Sequence, residues 1–168
     1  MHLALARLES PLGPLVLAAS EVGLCALEFA DSDDAVRGRL LKVHPNVRFE
    51  ADSRVDKIAS RVLAYFSGDR RALENLPIDV TGTPFQKTVW ATLREIPMGT
   101  TISYRELARR IGNAAASRAV GGANSKNPVA LVVPCHRVIA ADGTLGGYAG
   151  GLWRKSWLLQ HESNSEIS

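Results

Sequence analysis

Apolar residues in the first thirty positions come in short runs. Leu3 to Leu8, Leu15 to Ala19 and Leu24 to Phe29 are parted by the turn formers Ser10-Pro11, Gly13-Pro14 and Gly23. Such runs predict a meander of short strands. The period then changes to that of a helix. Over Asp31 to Val43, the residues Val36, Leu40 and Val43 share one face; over Arg54 to Phe66 the stripe is Val55, Ile58, Ala59, Val62 and Phe66, stopped by Ser67-Gly68. Residues 75–83 (N-L-P-I-D-V-T-G-T) read as a linker, which divides the chain into a scaffold lobe over 1–80 and a second lobe over 81–168.

The second lobe reads as mainly helical. Thr83-Pro84-Phe85-Gln86 places Thr at the N-cap, Pro at N1 and Gln at N3, a capping box. Phe85, Val89, Leu93 and Ile96 give that helix an apolar face, and Trp90 is expected in the core. After the turn Pro97-Met98-Gly99, a second box, Ser103 to Glu106, opens a helix carrying Tyr104, Leu107, Ala108 and Ile111 and ending at Gly112-Asn113. A third helix, about Ala115 to Ala123, has almost only small side chains, with Arg118 alone projecting. A packing helix would carry Leu or Ile, so this one is suited to approach something outside the core. The pair is a candidate helix-turn-helix; its spacing alone fits an ordinary helical hairpin as well.

Val129 to Val133 is a β-branched run too short for a free-standing helix, and it predicts a short buried strand. Pro134 would end it and present Cys135 with His136 and Arg137 alongside, a setting that favours thiolate. On these residues alone Cys135 also fits a small buried hydrophobe. Asp142-Gly143 signals a hairpin turn, 146–151 (G-G-Y-A-G-G) a loop with open backbone N–H groups. A last helix over Leu152 to Glu162 offers Leu152, Leu159 and two tryptophans for packing, and the tail Ser163 to Ser168 is expected to be mobile.

Composition narrows the function classes. A 168-residue chain, 46% apolar, supports one core or two small lobes, and no apolar run is long enough to span a bilayer. The N-terminus, broken by Arg7, Glu9, Pro11 and Pro14, lacks a signal-peptide core. Two cysteines, Cys25 and Cys135, make neither a disulfide framework nor zinc-ligand spacing, which fits a reducing cytoplasm. Cys25, His2 and His44 read as structural or incidental, and no metal or cofactor is expected. The charge is uneven. Residues 1–82 hold ten Lys/Arg against twelve Asp/Glu, net −2; residues 83–168 hold ten against five, net +5. A basic second lobe suits a polyanion bound on one side.

The segment P-C-H-R-V, preceded by A-N-x-x-N-P and followed by G-x-Y-x-G-G, strongly resembles the O6-alkylguanine-DNA alkyltransferases, the methylated-DNA–protein-cysteine methyltransferases. The resemblance runs from Thr83 to Glu162, with a weaker one starting at S-P-L-G-P-L from Ser10. It implies an α/β protein: a ribonuclease-H-like N-terminal lobe acting as scaffold, without the zinc ligands of some relatives, and a helical lobe with a helix-turn-helix. It implies direct-reversal repair, in which O6-alkylguanine (less certainly O4-alkylthymine) is flipped from duplex DNA and its alkyl group passes irreversibly to Cys135. His136, held by Glu162, would reach the cysteine through a water; Asn127 would brace the turn, and Tyr104 would protonate the leaving guanine. The third helix would lie in the minor groove, Arg118 filling the gap in the stack, with Tyr104, Ser103, Ala116, Ala119, Gly121, Gly122 and Asn113 at the DNA. Pro134, Val138, Tyr148, Ala149 and Gly150 would line the pocket, with carbonyls near Cys135 and Val138 reading the exocyclic amine. Many relatives carry a hydroxyl residue at Ala149, so one hydrogen bond is missing here. Arg137 would tie the cysteine segment to the other lobe. The implied protein is a cytoplasmic monomer, nucleoid-associated in a bacterium, with cooperative binding on DNA left open.

Three alternatives are separable. An alkyltransferase-like damage sensor lacks the cysteine. A helix-turn-helix regulator needs neither P-C-H-R nor Glu162. A cysteine hydrolase needs an oxyanion hole and turnover on acyl substrates.

Overall fold

The structure, a computed structural model, describes residues 1–164. It divides into two compact units, the first Met1–Thr81 and the second beginning at Gly82.

In the first unit, β1 (His2–Ser10), β2 (Gly13–Ala19) and β3 (Leu24–Phe29) form an antiparallel meander. β4 (Arg48–Glu50) adds in parallel to β1, giving the order β3-β2-β1-β4. Leu15 to Ala19 are all buried, so β2 is covered on both faces, which its unbroken apolar run encodes. One core gathers Leu3, Leu5, Val16 and Ala18 with Val36 and Leu40 of helix α1 (Asp34–Val43). Helix α2 (Ser53–Phe66) is capped by Asp52 and buries Val55, Val62, Tyr65 and Phe66. β4 is three residues of alternating polarity, too short to signal itself in sequence. Val43 is exposed, so the apolar stripe of α1 ends one turn earlier than its spacing suggests.

The expected linker 75–83 is largely built into this unit. Leu24 N–H donates to the Pro77 carbonyl and Asp79 N–H to the Leu24 carbonyl, both at 2.9 Å. The close approach requires Gly23, where a Cβ would stand 2.6 Å from the Pro77 carbonyl group.

The second unit opens with α3 (Pro84–Leu93), whose Thr83–Gln86 capping box is complete. Val89, Trp90, Leu93 and Ile96 are buried, and Trp90 Nε1 donates to the Ala123 carbonyl at 2.9 Å, linking α3 to a helix further along the chain. Phe85, expected on the apolar face, is exposed. β5 (Ile102–Ser103) runs into α4 (Tyr104–Arg110), and α5 (Ser117–Ser125) follows. Ser103 Oγ accepts from Glu106 N–H, but the Glu106 carboxylate pairs with Arg109 and Arg110 instead of closing a box. β6 (Val138–Ile139) pairs in parallel with β5, and α6 (Leu152–Asn164) closes the unit.

Two expectations fail here for physical reasons. The run Val129 to Val133 is a set of tight turns, not a strand: Val133 N–H returns to the Val129 carbonyl at 3.0 Å, and Leu131 sits at φ +70°. Its apolar side chains mark burial, which a folded-back turn needs as much as a strand does. Asp142-Gly143 makes a turn, with Ala140 N–H on the Thr144 carbonyl, but no second hairpin strand follows. Of the tail expected to be mobile, Ser163 and Asn164 belong to α6; the rest lies outside the described residues.

Candidate active site

Cys135 begins a 3-10 turn, Cys135–Arg137, at the end of the folded-back segment. Asn127 fixes that segment from inside: its Nδ2 donates to the Val133 carbonyl at 2.7 Å and its Oδ1 accepts from Val129 N–H at 2.9 Å. One side chain thus replaces the ladder that a strand would have supplied. The same amide hydrogen-bonds the Cys135 thiol. Asn124 of α5 donates to the carbonyl of Cys135 itself at 3.3 Å.

The adjoining side chains point into the unit. His136 Nε2 lies 2.8 Å from Glu162 Oε2, and Arg137 donates to both Glu162 oxygens at 2.8 and 3.0 Å and to the Ile96 carbonyl at 2.7 Å. Burial pushes the imidazole toward its neutral form, while Glu162 opposes this. Burial also raises the Glu162 carboxyl, but His136 and Arg137 outweigh it and hold the group well below the usual carboxylate range. Glu162 is therefore ionised. A neutral His136 facing it carries its proton on Nε2 and leaves Nδ1 as a lone-pair acceptor. Nδ1 has no partner among the described residues.

Burial pushes the Cys135 thiol up, and Asn127 and Lys155 draw it down. Arg137, expected to aid the thiolate and to tie the lobes, spends its hydrogen bonds on Glu162 and Ile96, both within the second unit. The cation acting on Cys135 is Lys155, which sequence reasoning missed. Its side chain is fully buried, and Nζ donates to the carbonyls of Val138 (2.6 Å), Gly147 (3.0 Å) and Leu145. Three donors thus meet three acceptors. Burial brings its pKa down to about 8. A signal was present: Lys155, Leu158 and Glu162 fall at i, i+3 and i+7, and all three are fully buried. Of the residues expected to pack, Leu152 and Trp153 are exposed, while Trp157 and Leu159 are half-buried. The inner face of α6 serves the site rather than an apolar core.

The loop after β6 reaches over Tyr104. A Cβ on Gly146 would stand 3.2 Å from Tyr104 Cε2, and Gly147 backbone hydrogen-bonds the Tyr104 hydroxyl. Burial raises the Tyr104 hydroxyl, and that of Tyr148, whose oxygen is buried without a partner among the described residues. Pro134 and Val138 are buried; Ala149 is exposed and Gly150 half-buried. On α5, Arg118, Ala119 and Gly122 are exposed, while a Cβ on Gly121 would stand 3.8 Å from the Tyr104 ring. Asn113 is exposed and Ala116, the α5 N-cap, half-buried; Ser103 Oγ is occupied as the cap of α4. Among the described residues no group of three or more His, Cys, Asp or Glu could hold a metal ion. No described helix is long and apolar enough to cross a membrane.

The unit thus carries a buried thiol next in the chain to a buried imidazole–carboxylate pair, and a helix of small residues with an exposed arginine. Residues 3–80 match the family described as 6-O-methylguanine DNA methyltransferase, ribonuclease-like domain, and residues 84–164 match its DNA binding domain. The methylated-DNA–protein-cysteine methyltransferase of Shigella flexneri is 42% identical over 162 residues, covering 93% of each chain. That of Methanosarcina barkeri is 44% identical over 158 residues, covering 94% of this chain and 96% of the relative. Among solved structures, Mycobacterium tuberculosis OGT in complex with DNA is similar at TM-score 0.82 and 37% identity, covering 98% of this chain and 94% of that one. This chain belongs to the methylated-DNA–protein-cysteine methyltransferase family.

Proposed function

We propose that this protein repairs DNA by direct reversal, moving an alkyl group from O6 of guanine in duplex DNA onto Cys135, once per molecule. The observation that carries the reading is the buried His136–Glu162 pair beside Cys135, in the unit matching a DNA binding domain. The likeness to a relative solved with DNA supports the partner.

The proton of Cys135 Sγ passes through a water to His136 Nδ1, and Glu162 stabilises the imidazolium that results. The thiolate attacks the alkyl carbon; the S–C bond forms as the C–O6 bond breaks, and the released electron pair stays on the guanine. Tyr104 gives the guanine a proton, so no anion is expelled. The product is a thioether, which has no easy leaving group, so turnover stops.

A stacked base is out of reach of a thiol, so the nucleotide must leave the duplex. Arg118, exposed on α5, would fill its position, with the helix lying in the minor groove, where insertion and bending need no base sequence. The glycine-rich loop, Tyr148 and Val138 would hold the base. The expected working state is a monomer in the cytoplasm, at the nucleoid in a bacterium. O4-alkylthymine is the weaker candidate substrate.

The test is to mix the protein with an O6-methylguanine duplex and weigh the intact chain. One methyl group per chain, located on Cys135 and absent in Cys135→Ala, supports the reading. Repeated turnover, or label on another side chain, overturns it. A damage sensor would have no use for Cys135, so that alternative is not favoured.

A further inference from the structure

One peptide group joins the nucleophile Cys135 to the imidazole of His136, and its oxygen is fully used. Val138 N–H donates to it and closes the 3-10 turn; Asn124 Nδ2, from α5, donates to it at 3.3 Å. These two donors fill the two lone pairs of a carbonyl. The first bond is local to the turn, whereas the second ties the turn to another element. Asn127 does comparable work before the cysteine, holding Val129 and Val133. After it, His136 and Arg137 reach Glu162 through their side chains. Asn124 grips the backbone of Cys135 itself.

Stability does not call for an amide at this position. Asn124 is 5% exposed, and its Oδ1 is buried without a partner among the described residues, which is unfavourable. The other buried residues of α5 are Val120 and Ala123, so an apolar side chain would suit the same face. Leucine has the branched outline of asparagine and no polar atom to satisfy. With leucine there, the Cys135 carbonyl would still hold its bond from Val138 N–H. What leucine would lose is the tie between α5 and the nucleophile turn.

We propose that Asn124 is a positioning residue for alkyl transfer: by holding the Cys135–His136 peptide against α5, it fixes the direction in which Cys135 Sγ meets the alkyl carbon. The inference rests on the alkyl-transfer reading above. Displacement at carbon needs the sulfur in line with the breaking C–O6 bond, and a misplacement of about 1 Å can cost about a hundredfold in rate. The charge on the thiol is set elsewhere, by Asn127 and Lys155. Loss of Asn124 should therefore spoil aim without changing how readily the thiol ionises.

The experiment compares wild type with Asn124→Leu and Asn124→Met in four measurements. Single-turnover transfer from an O6-methylguanine duplex and from free O6-methylguanine should slow by about tenfold or more, in the same proportion on both. Iodoacetamide alkylation of Cys135, which any approach of the small electrophile satisfies, should stay within about threefold of wild type. The melting temperature should be no lower than that of wild type in at least one variant, because an unpaired buried acceptor has been removed. Affinity for an undamaged duplex should not change. A merely structural role would lower the melting temperature and leave the ratio of transfer to alkylation alone. Transfer within about threefold of wild type, a loss confined to the duplex, alkylation that falls as far as transfer, or both variants melting lower overturns the inference while leaving alkyl transfer intact. No transfer from either substrate by wild type overturns the alkyl-transfer reading itself, and this inference with it.

Discussion

His136 Nε2 and Glu162 Oε2 lie 2.8 Å apart, twenty-six positions apart in the chain, with no exposed surface on either side chain. The same carboxylate takes two hydrogen bonds from Arg137, so one buried anion orients the imidazole and neutralises the guanidinium. Glu162→Gln removes the charge at nearly constant shape. The expected loss in single-turnover rate is about a hundredfold, the range of a positioned acid–base group. The expected loss in stability is about 3 kcal/mol, because Arg137 stays buried without its counter-charge. The pH dependence checks the cause. The folded Glu162 carboxyl is depressed from its usual 4.5, so its contribution is present above that value and lost as pH falls below it. Melting temperature should therefore drop more steeply below about pH 4.5 in wild type than in Glu162→Gln.

Lys155 supplies a positive charge that acts on the thiol, and Lys155→Met should make Cys135 harder to ionise. Iodoacetamide alkylation of Cys135, followed against pH, should have its midpoint moved upward, as the loss of an opposite charge requires. Stability has its own signature. The folded pKa of about 8 lies below the usual 10.5, so the unfolded chain holds more protons between these values. Wild-type stability should then rise with pH across that window relative to Lys155→Met. An alkylation profile that does not move would remove Lys155 from the thiolate.

Elements with a strong local signature were legible in sequence: the capping box at Thr83, the meander, and the i, i+3 and i+4 stripes of α2 and α4. The P-C-H-R segment marked the site. What sequence could not carry was direction. Arg137 stands two positions from Cys135 in the chain, yet its bonds go to Glu162, which His136 shares, and to Ile96, away from the thiol. The run Val129 to Val133 is buried, but burial alone does not separate a strand from a turn braced by Asn127. Lys155 was hidden by the habit of placing lysine at the surface, against a spacing that put it on the inner face of α6.

Arg118 separates binding from chemistry. It is exposed on α5, and nothing in the cysteine centre rests on it. Arg118→Ala should slow repair of an O6-methylguanine duplex by about tenfold or more, through the lost cation at the opened stack, and barely change reaction with a free O6-alkylguanine base. Parallel single-turnover assays on duplex and free base decide it. Equal slowing on both would take the residue out of the extrusion step.

Gly146→Ala tests whether the glycine-rich loop and Tyr104 work as one piece. Gly146 has φ +72°, a region that an alanine enters with strain, and its new Cβ would come 3.2 Å from Tyr104 Cε2 and 3.4 Å from the hydroxyl oxygen. Either the loop lifts or the ring turns, and both break the hydrogen bond between Tyr104 and the Gly147 backbone. The strain should lower stability by about 1 kcal/mol. The rate should fall further than that loss suggests, because Tyr104 is the group proposed to protonate the leaving base. If ring displacement is the cause, Gly146→Ala combined with Tyr104→Phe should be no slower than Tyr104→Phe alone, since the first change acts through a hydroxyl that the second has removed. Additive losses would instead place the effect in the loop, independent of Tyr104.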